Sequence, residues 1–117
     1  MILCVIDDLI FSIKISTAAK SLGGVEVFFE RSPEMVLPRI KEKLPSLVIL
    51  DLNSARMKPL DAITAMKADA TLKGIKTLGF VSHVDSETIA AARAAGIDHV
   101  LARSAFAAQL GDILTRA

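Results

Sequence analysis

Three carboxylates stand where hydrophobic runs of this chain stop. Asp7 and Asp8 follow the run Ile2-Leu3-Cys4-Val5-Ile6, and Asp51 closes the run Leu47-Val48-Ile49-Leu50. Carboxylates that converge repel one another and persist only beside compensating positive charge. A hard divalent cation supplies it, since Mg²⁺ takes one or two carboxylates along with waters and phosphate oxygens. The same ion would bring in a phosphoryl donor and neutralise charge during transfer, a reaction that is mostly positioning and electrostatics. A carboxylate so placed can also be the nucleophile, giving an aspartyl phosphate. Singly, Asp8 reads as a helix cap and Asp51 as a strand end in solvent; an acidic pair joined by a third acid favours the chemical reading.

The elements that would position these groups follow from the apolar pattern. The run ending at Asp51 is rich in Val, Ile and Leu without alternation, as expected of a strand buried on both faces of a parallel sheet. Similar strands are expected over Met1 to Ile6, Val25 to Phe29, Thr77 to Val81 and Asp98 to Ala102, the second of them an edge strand because it contains Glu26. Between them lie helical stretches. Leu9 to Leu22 is closed by Gly23-Gly24, with Phe11, Ile15, Ala18 and Leu22 on the core face and Leu9, Ile10 and Ile13 on the other side. Ser32 is expected to cap a second helix with Pro33 in its first turn, Pro59 opens a third, and Asp85 or Ser86 caps an alanine-rich fourth that Gly96 stops. Ser104 is expected to cap a last helix facing inward with Phe106, Leu110, Ile113 and Leu114. Strands alternating with helices give an α/β doubly wound parallel sheet. In the strand order 2-1-3-4-5 the ends of strands one and three are neighbours, which sets Asp7-Asp8 facing Asp51 in the crevice where such folds bind ligands.

Composition narrows the function classes. At 117 residues, 52% hydrophobic and 23% charged, the chain is expected to be one domain, ordered and well packed. A net charge of +1 without a basic stripe gives no basis for a nucleic-acid or general membrane-surface partner. The one cysteine, Cys4, suits a buried strand position and a reducing compartment. No apolar run reaches the roughly 18 residues of a membrane span. The N-terminal residues do not resemble a signal peptide, so the expected location is the cytoplasm.

With these features in order along the whole chain, the sequence resembles the receiver domain of two-component response regulators. That resemblance implies a flavodoxin-like five-stranded sheet, order 2-1-3-4-5, with helices on both faces. It implies an acidic pair, Asp7 and Asp8, that holds Mg²⁺ together with Asp51 and the backbone carbonyl of Asn53. It implies that Asp51 accepts the phosphoryl group, that Ser82 hydrogen-bonds it, and that the chain is a phosphoacceptor in a phosphorelay and not an enzyme. The family's lysine after strand five is here Arg103, a planar fork in place of a compact ammonium. Ser104 replaces the proline that usually follows, so a trans bond is expected there. The aromatic switch position aligns with Val100, and the loop after Asp51 has Ala55 and Pro59 where the family has proline and glycine. The acceptor half of the site is thus retained and the readout half altered.

The resemblance further implies a histidine kinase or phosphotransfer protein as partner, docking through Leu9, Ile10 and Ile13, and a downstream protein partner. An alternative is a pseudo-receiver that acts by binding alone. A dinucleotide enzyme is excluded, because Asp7-Asp8-Leu9-Ile10 stands where a glycine-rich turn would be needed. A small phosphatase with an aspartyl nucleophile lacks a second acid two residues after Asp51. His83, Met57 and Lys58 are expected in loops around the crevice, Lys58 within reach of an anion, and His99 on strand five has no assigned role.

Overall fold

The computed structural model describes residues 1–82 and 85–117. Five parallel strands, β1 (Ile2–Val5), β2 (Val27–Glu30), β3 (Leu47–Asp51), β4 (Lys76–Val81) and β5 (His99–Ala102), lie in the order β2-β1-β3-β4-β5. The helices are α1 (Leu9–Leu22), α2 (Val36–Lys43), α3 (Pro59–Ala68), α4 (Ser86–Ala95), α5 (Arg103–Ala108) and α6 (Leu110–Arg116). This is the flavodoxin-like doubly wound arrangement, with its switch point between β1 and β3.

Alternate residues of the central strands feed two cores. Leu3, Val5, Val48 and Leu50 pack with Val36, Ile40, Ile63 and Met66 of α2 and α3. Ile2, Cys4 and Ile49 pack with Phe11 and Ile15 of α1 and with Phe106, Leu110 and Leu114 of the last two helices. Each fully buried side chain of this size contributes about 1.5–3 kcal/mol through removal from water. Cys4 is one of them, and burial pushes its thiol pKa far above the ordinary value, which makes it a packing residue.

Register carries the site. Leu50 lies level with Val5 on one side and Gly79 on the other, and Asp51 with Phe80. Gly79 is required there: a Cβ would come within 2.7 Å of Leu52 and 2.8 Å of Ile97. β1 ends one register position before Asp51, so Asp7 and Asp8 fall just past its end and beside β3.

Several expectations change. The core face of α1 is Phe11, Ser12, Ile15 and Ala19; Ala18 is only half-buried and Leu22 is exposed at the helix end. Glu26 precedes β2, which is nonetheless an edge strand. The Pro33–Met35 segment is a 3-10 turn that leads into α2, and the Ser32 side chain makes no cap bond; its N–H donates to Glu30 Oε2 instead. Pro38 sits in the first turn of α2, where its missing N–H costs little. Ser104 does not cap the last helix, because α5 already starts at Arg103, directly from β5, and the helical run is interrupted at Gln109 between α5 and α6. Gly111, just past that interruption, lowers the helical preference of the segment.

Candidate functional site

Asp8 is the N-cap of α1. Its Oδ1 accepts from the Phe11 N–H at 3.0 Å, and its backbone carbonyl accepts from the Ser12 N–H and hydroxyl. The other carboxylate oxygen, Oδ2, accepts from Arg103 Nη2 at 2.7 Å, a short charge-assisted bond. The Phe11 N–H first, and Arg103 second, hold the Asp8 carboxyl below its ordinary pKa.

Asp7 is held in the same manner by the loop after β3. Ser54 Oγ donates to Asp7 Oδ1 at 2.9 Å, and Arg56 Nη1 lies 3.3 Å from Asp7 Oδ2 while also donating to the Arg31 carbonyl. Every oxygen of the acidic pair therefore has a donor within the chain.

Asp51 is buried, 7% exposed, at the end of β3. Burial pushes its pKa above the ordinary value. The Asn53 N–H, which donates to Oδ1 at 3.0 Å, and the Arg103 charge oppose this, while Asp7 and Asp8 add to it. The three carboxylates are close enough to feel one another, as their order in the sheet requires. The Asn53 side chain turns the other way: its Oδ1 accepts the Ser82 N–H at 2.6 Å and ties the β3 loop to the end of β4.

Arg103 is the group that the structure places most distinctively. It starts α5, and its guanidinium lies 4.2 Å from the centroid of the Phe11 ring and 5.9 Å from that of Phe80. Phe11, Phe80 and Phe106 form a contiguous aromatic group with centroids 4.9 to 5.7 Å apart. A weakly hydrated planar cation stacks well on such a floor, and an ammonium less so.

The peptide bond after Arg103 is trans, as expected. Val100 is half-buried against the α2–α4 core. Leu9, Ile10 and Ile13 are 63%, 82% and 58% exposed, so packing against a neighbouring element does not explain them. Met57 is not over the crevice; it is fully buried in the core, because the 3-10 turn Ala55–Met57 directs it inward. Lys58 is exposed with a left-handed backbone, φ 51°, and with Asn53, Asp61 and Thr88 lines an open cleft of about 450 Å³ to one side of the carboxylates. His83 lies outside the described residues, and His99 is exposed on β5.

Sequence reasoning missed Ser54, Arg56 and the side-chain role of Asn53. Arg56 carried a weak signal, a cation five residues past an acidic strand end, but its partner lies 49 positions away and only the β1–β3 pairing brings it there.

As arranged, no group of three His, Cys, Asp or Glu side chains among the described residues is set to hold a metal ion. The donors are nevertheless hard carboxylate oxygens, right in kind for Mg²⁺. Among the described residues, no helix is long and apolar enough to cross a membrane.

Known structures share this architecture closely. A phosphorylated cyanobacterial phytochrome response regulator, RcpA, is 22% identical, with a TM-score of 0.80 over 98% of this chain and 88% of that one. A response regulator from Hahella chejuensis is 16% identical, with a TM-score of 0.87 over 97% and 91%. The Mn²⁺-bound form of response regulator Rcp1 is 17% identical, with a TM-score of 0.74 over 96% and 89%. No family model and no curated protein sequence matches the chain. At these identities the likeness establishes the fold: a five-stranded α/β sheet of the kind used by response-regulator receivers.

Proposed function

We propose that the chain is a receiver domain of two-component signal transduction that accepts a phosphoryl group on Asp51 in a cytoplasmic phosphorelay. The observation that carries this is the placement of Asp51: a buried carboxylate of raised basicity at the switch point of the sheet, flanked by an acidic pair and within the field of Arg103. In the reaction, an Asp51 oxygen attacks the phosphorus of a phosphohistidine or a small acyl phosphate. A new P–O bond forms and the bond from phosphorus to the donor breaks, the electron pair leaving with a carboxylate, from an acyl phosphate, or with an imidazole that departs in its neutral, protonated-nitrogen form, from phosphohistidine. The chain acts as phosphoacceptor, not as an enzyme with a turned-over substrate.

Roles follow for the other residues. Arg103 lends positive charge to the phosphoryl oxygens, and Ser82, exposed at the end of β4, donates its hydroxyl to one of them. Asp7, Asp8, Asp51 and the Asn53 carbonyl would hold Mg²⁺, which when bound supplies charge neutralisation for donor and carboxylates alike. The apolar patch of Leu9, Ile10 and Ile13 beside Asp8 offers contact to a histidine kinase or phosphotransfer protein, and phosphorylation alters binding of a downstream protein. Half-buried Val100 and an Arg103 already committed to Asp8 favour a second reading, a pseudo-receiver that works by binding alone.

Intact mass after incubation with acetyl phosphate, with and without Mg²⁺ and beside Asp51→Asn, separates the two. A single phosphoryl adduct absent from Asp51→Asn supports the acceptor. Absence of any adduct on the wild-type chain rejects it in favour of the second reading.

A further inference from the structure

The acidic pair has already found its positive charge inside the chain. Asp8 Oδ2 receives Arg103 at 2.7 Å and Asp7 Oδ2 receives Arg56 at 3.3 Å, while Phe11 N–H and Ser54 Oγ take the remaining oxygens. Two carboxylates that would serve a divalent cation are thus neutralised one for one by guanidiniums. The two contacts differ in quality. Arg56 is 61% exposed and shares one nitrogen among Asp7, the Arg31 carbonyl and the Met57 sulfur, the pattern of a weak, screened pair. Arg103 is half as exposed, makes the shorter bond, and lies 4.2 Å from the centroid of the Phe11 ring, a cation–π contact that adds to its hold on Asp8.

We propose that Arg103, assisted by Arg56, is the resident counter-cation of the acidic pair and competes with Mg²⁺ for it, so that the pair is charge-balanced at rest and takes up a divalent ion only when Arg103 lets go of Asp8. The competition is unavoidable on electrostatic grounds. An ion seated on Asp8 would displace Arg103 or sit beside an unpaired guanidinium, and like charges in a partly buried site repel strongly. The contact with the Phe11 ring adds a larger cost to displacement than an ammonium would impose, which gives a physical reason for arginine at this position. A phosphoryl group on Asp51 would supply a second anion for Arg103. Metal affinity and the engagement of Arg103 are thereby coupled, and by linkage whatever draws Arg103 from Asp8 strengthens the metal site. This deepens the Mg²⁺ role within the proposed function but stands on the ion pairs, not on phosphorylation of Asp51.

The test is metal binding without any phosphodonor. Mg²⁺ and Mn²⁺ are titrated into the full chain by calorimetry at fixed ionic strength, for wild type, Arg103→Met, Arg56→Met and Arg103→Met with Asp8→Asn. Arg103→Met is expected to bind about five- to tenfold more tightly than wild type, and Arg56→Met less than about threefold. Adding Asp8→Asn should abolish the gain. Equal or weaker binding by Arg103→Met, or no binding by any form, overturns the proposal. A readout on the wild type alone guards against a variant that misfolds. Saturating Mg²⁺ should shift the Arg103 Nε–Hε resonance toward that of a solvated arginine, and binding that leaves this resonance unmoved also overturns the proposal. Failure of the acetyl phosphate experiment would leave both readouts intact, so the two ideas fail separately.

Discussion

At the β1 corner of the crevice, side chains hold side chains. Asp8 binds Arg103, Asp7 binds Ser54 and Arg56, and the aromatic group of Phe11, Phe80 and Phe106 lies underneath. At the β4 corner the contact is between a side-chain amide and the main chain, Asn53 to the Ser82 N–H, beside an open cleft. The first corner is charge-balanced and anchored in the core; the second is a short polar tie with Ser82 exposed. The Arg103 charge is held where an aromatic floor supports it, whereas Ser82, expected to hydrogen-bond a phosphoryl group, lies on the side that is less firmly held.

This contrast breaks most severely at its base. Phe80→Ala, removing a fully buried ring from the aromatic group, should cost about 3–5 kcal/mol in urea unfolding. It should also loosen Arg103, which slower transverse relaxation and a lower heteronuclear NOE of the Nε–Hε group in the variant than in the wild type would register. A loss below about 1 kcal/mol would mean that the floor does not support the corner.

Next in size are the two polar ties. Asp8→Ala removes a helix cap and an ion pair and should cost about 1–2 kcal/mol. Asn53→Ala removes a hydrogen bond at the looser corner and should cost about 1 kcal/mol or less. If chemical denaturation ranks them in reverse, the β4 corner is the rigid one.

The pH dependence separates Asp8 from Asp51 by sign. The Asp8 pKa is lowered on folding, so its contribution is present above the ordinary carboxylate pKa of about 3.9 and is lost as pH falls through the lowered value. The Asp51 pKa is raised, so its ionisation opposes folding and stability is lost as pH rises through the raised value. Thermal melts should therefore find Asp51→Asn more stable than wild type at pH 7, with the gain shrinking toward pH ~4. Asp8→Asn should be less stable at pH 7. Parallel behaviour of the two variants would contradict the assigned environments.

The smallest effect on the fold should come from α1's outer face. Ile10→Ser, at a position 82% exposed, should change stability by no more than about 0.5 kcal/mol by thermal melting. The same change is expected to slow phosphoryl transfer from a histidine kinase while leaving labelling by acetyl phosphate unaffected. A destabilisation above about 1 kcal/mol would return Ile10 to the core.

Periodicity and punctuation in the chain were enough to place the five strands to within two residues, α1 to its last residue, and the Gly96 stop of α4, with Asp85 one of two candidate caps. Those signals are local: apolar runs set strands, Asp caps, and glycine stops. They were also enough to bring three carboxylates to one crevice, once the strand order was taken from the resemblance. The α1 core face was misjudged at Ala18 and Leu22 because a helix pattern gives a stripe, while the sheet beneath decides where that stripe stops being covered. The start of α5 at Arg103 was displaced for a similar reason, since Ser104 is an adequate cap by type but β5 delivers the chain into the helix two residues sooner, with Ala102 at the cap position. What only the tertiary structure decided is the electrostatic state of the site. Arg103 is 95 positions from Asp8 and Arg56 is 49 from Asp7, and no spacing rule connects them. An ion pair depends on distance in space and on what is buried around it: the register of β1 with β3 brings Arg56 to Asp7, and the shared core of α1 and α5, with Phe11 against Phe106, brings Arg103 to Asp8.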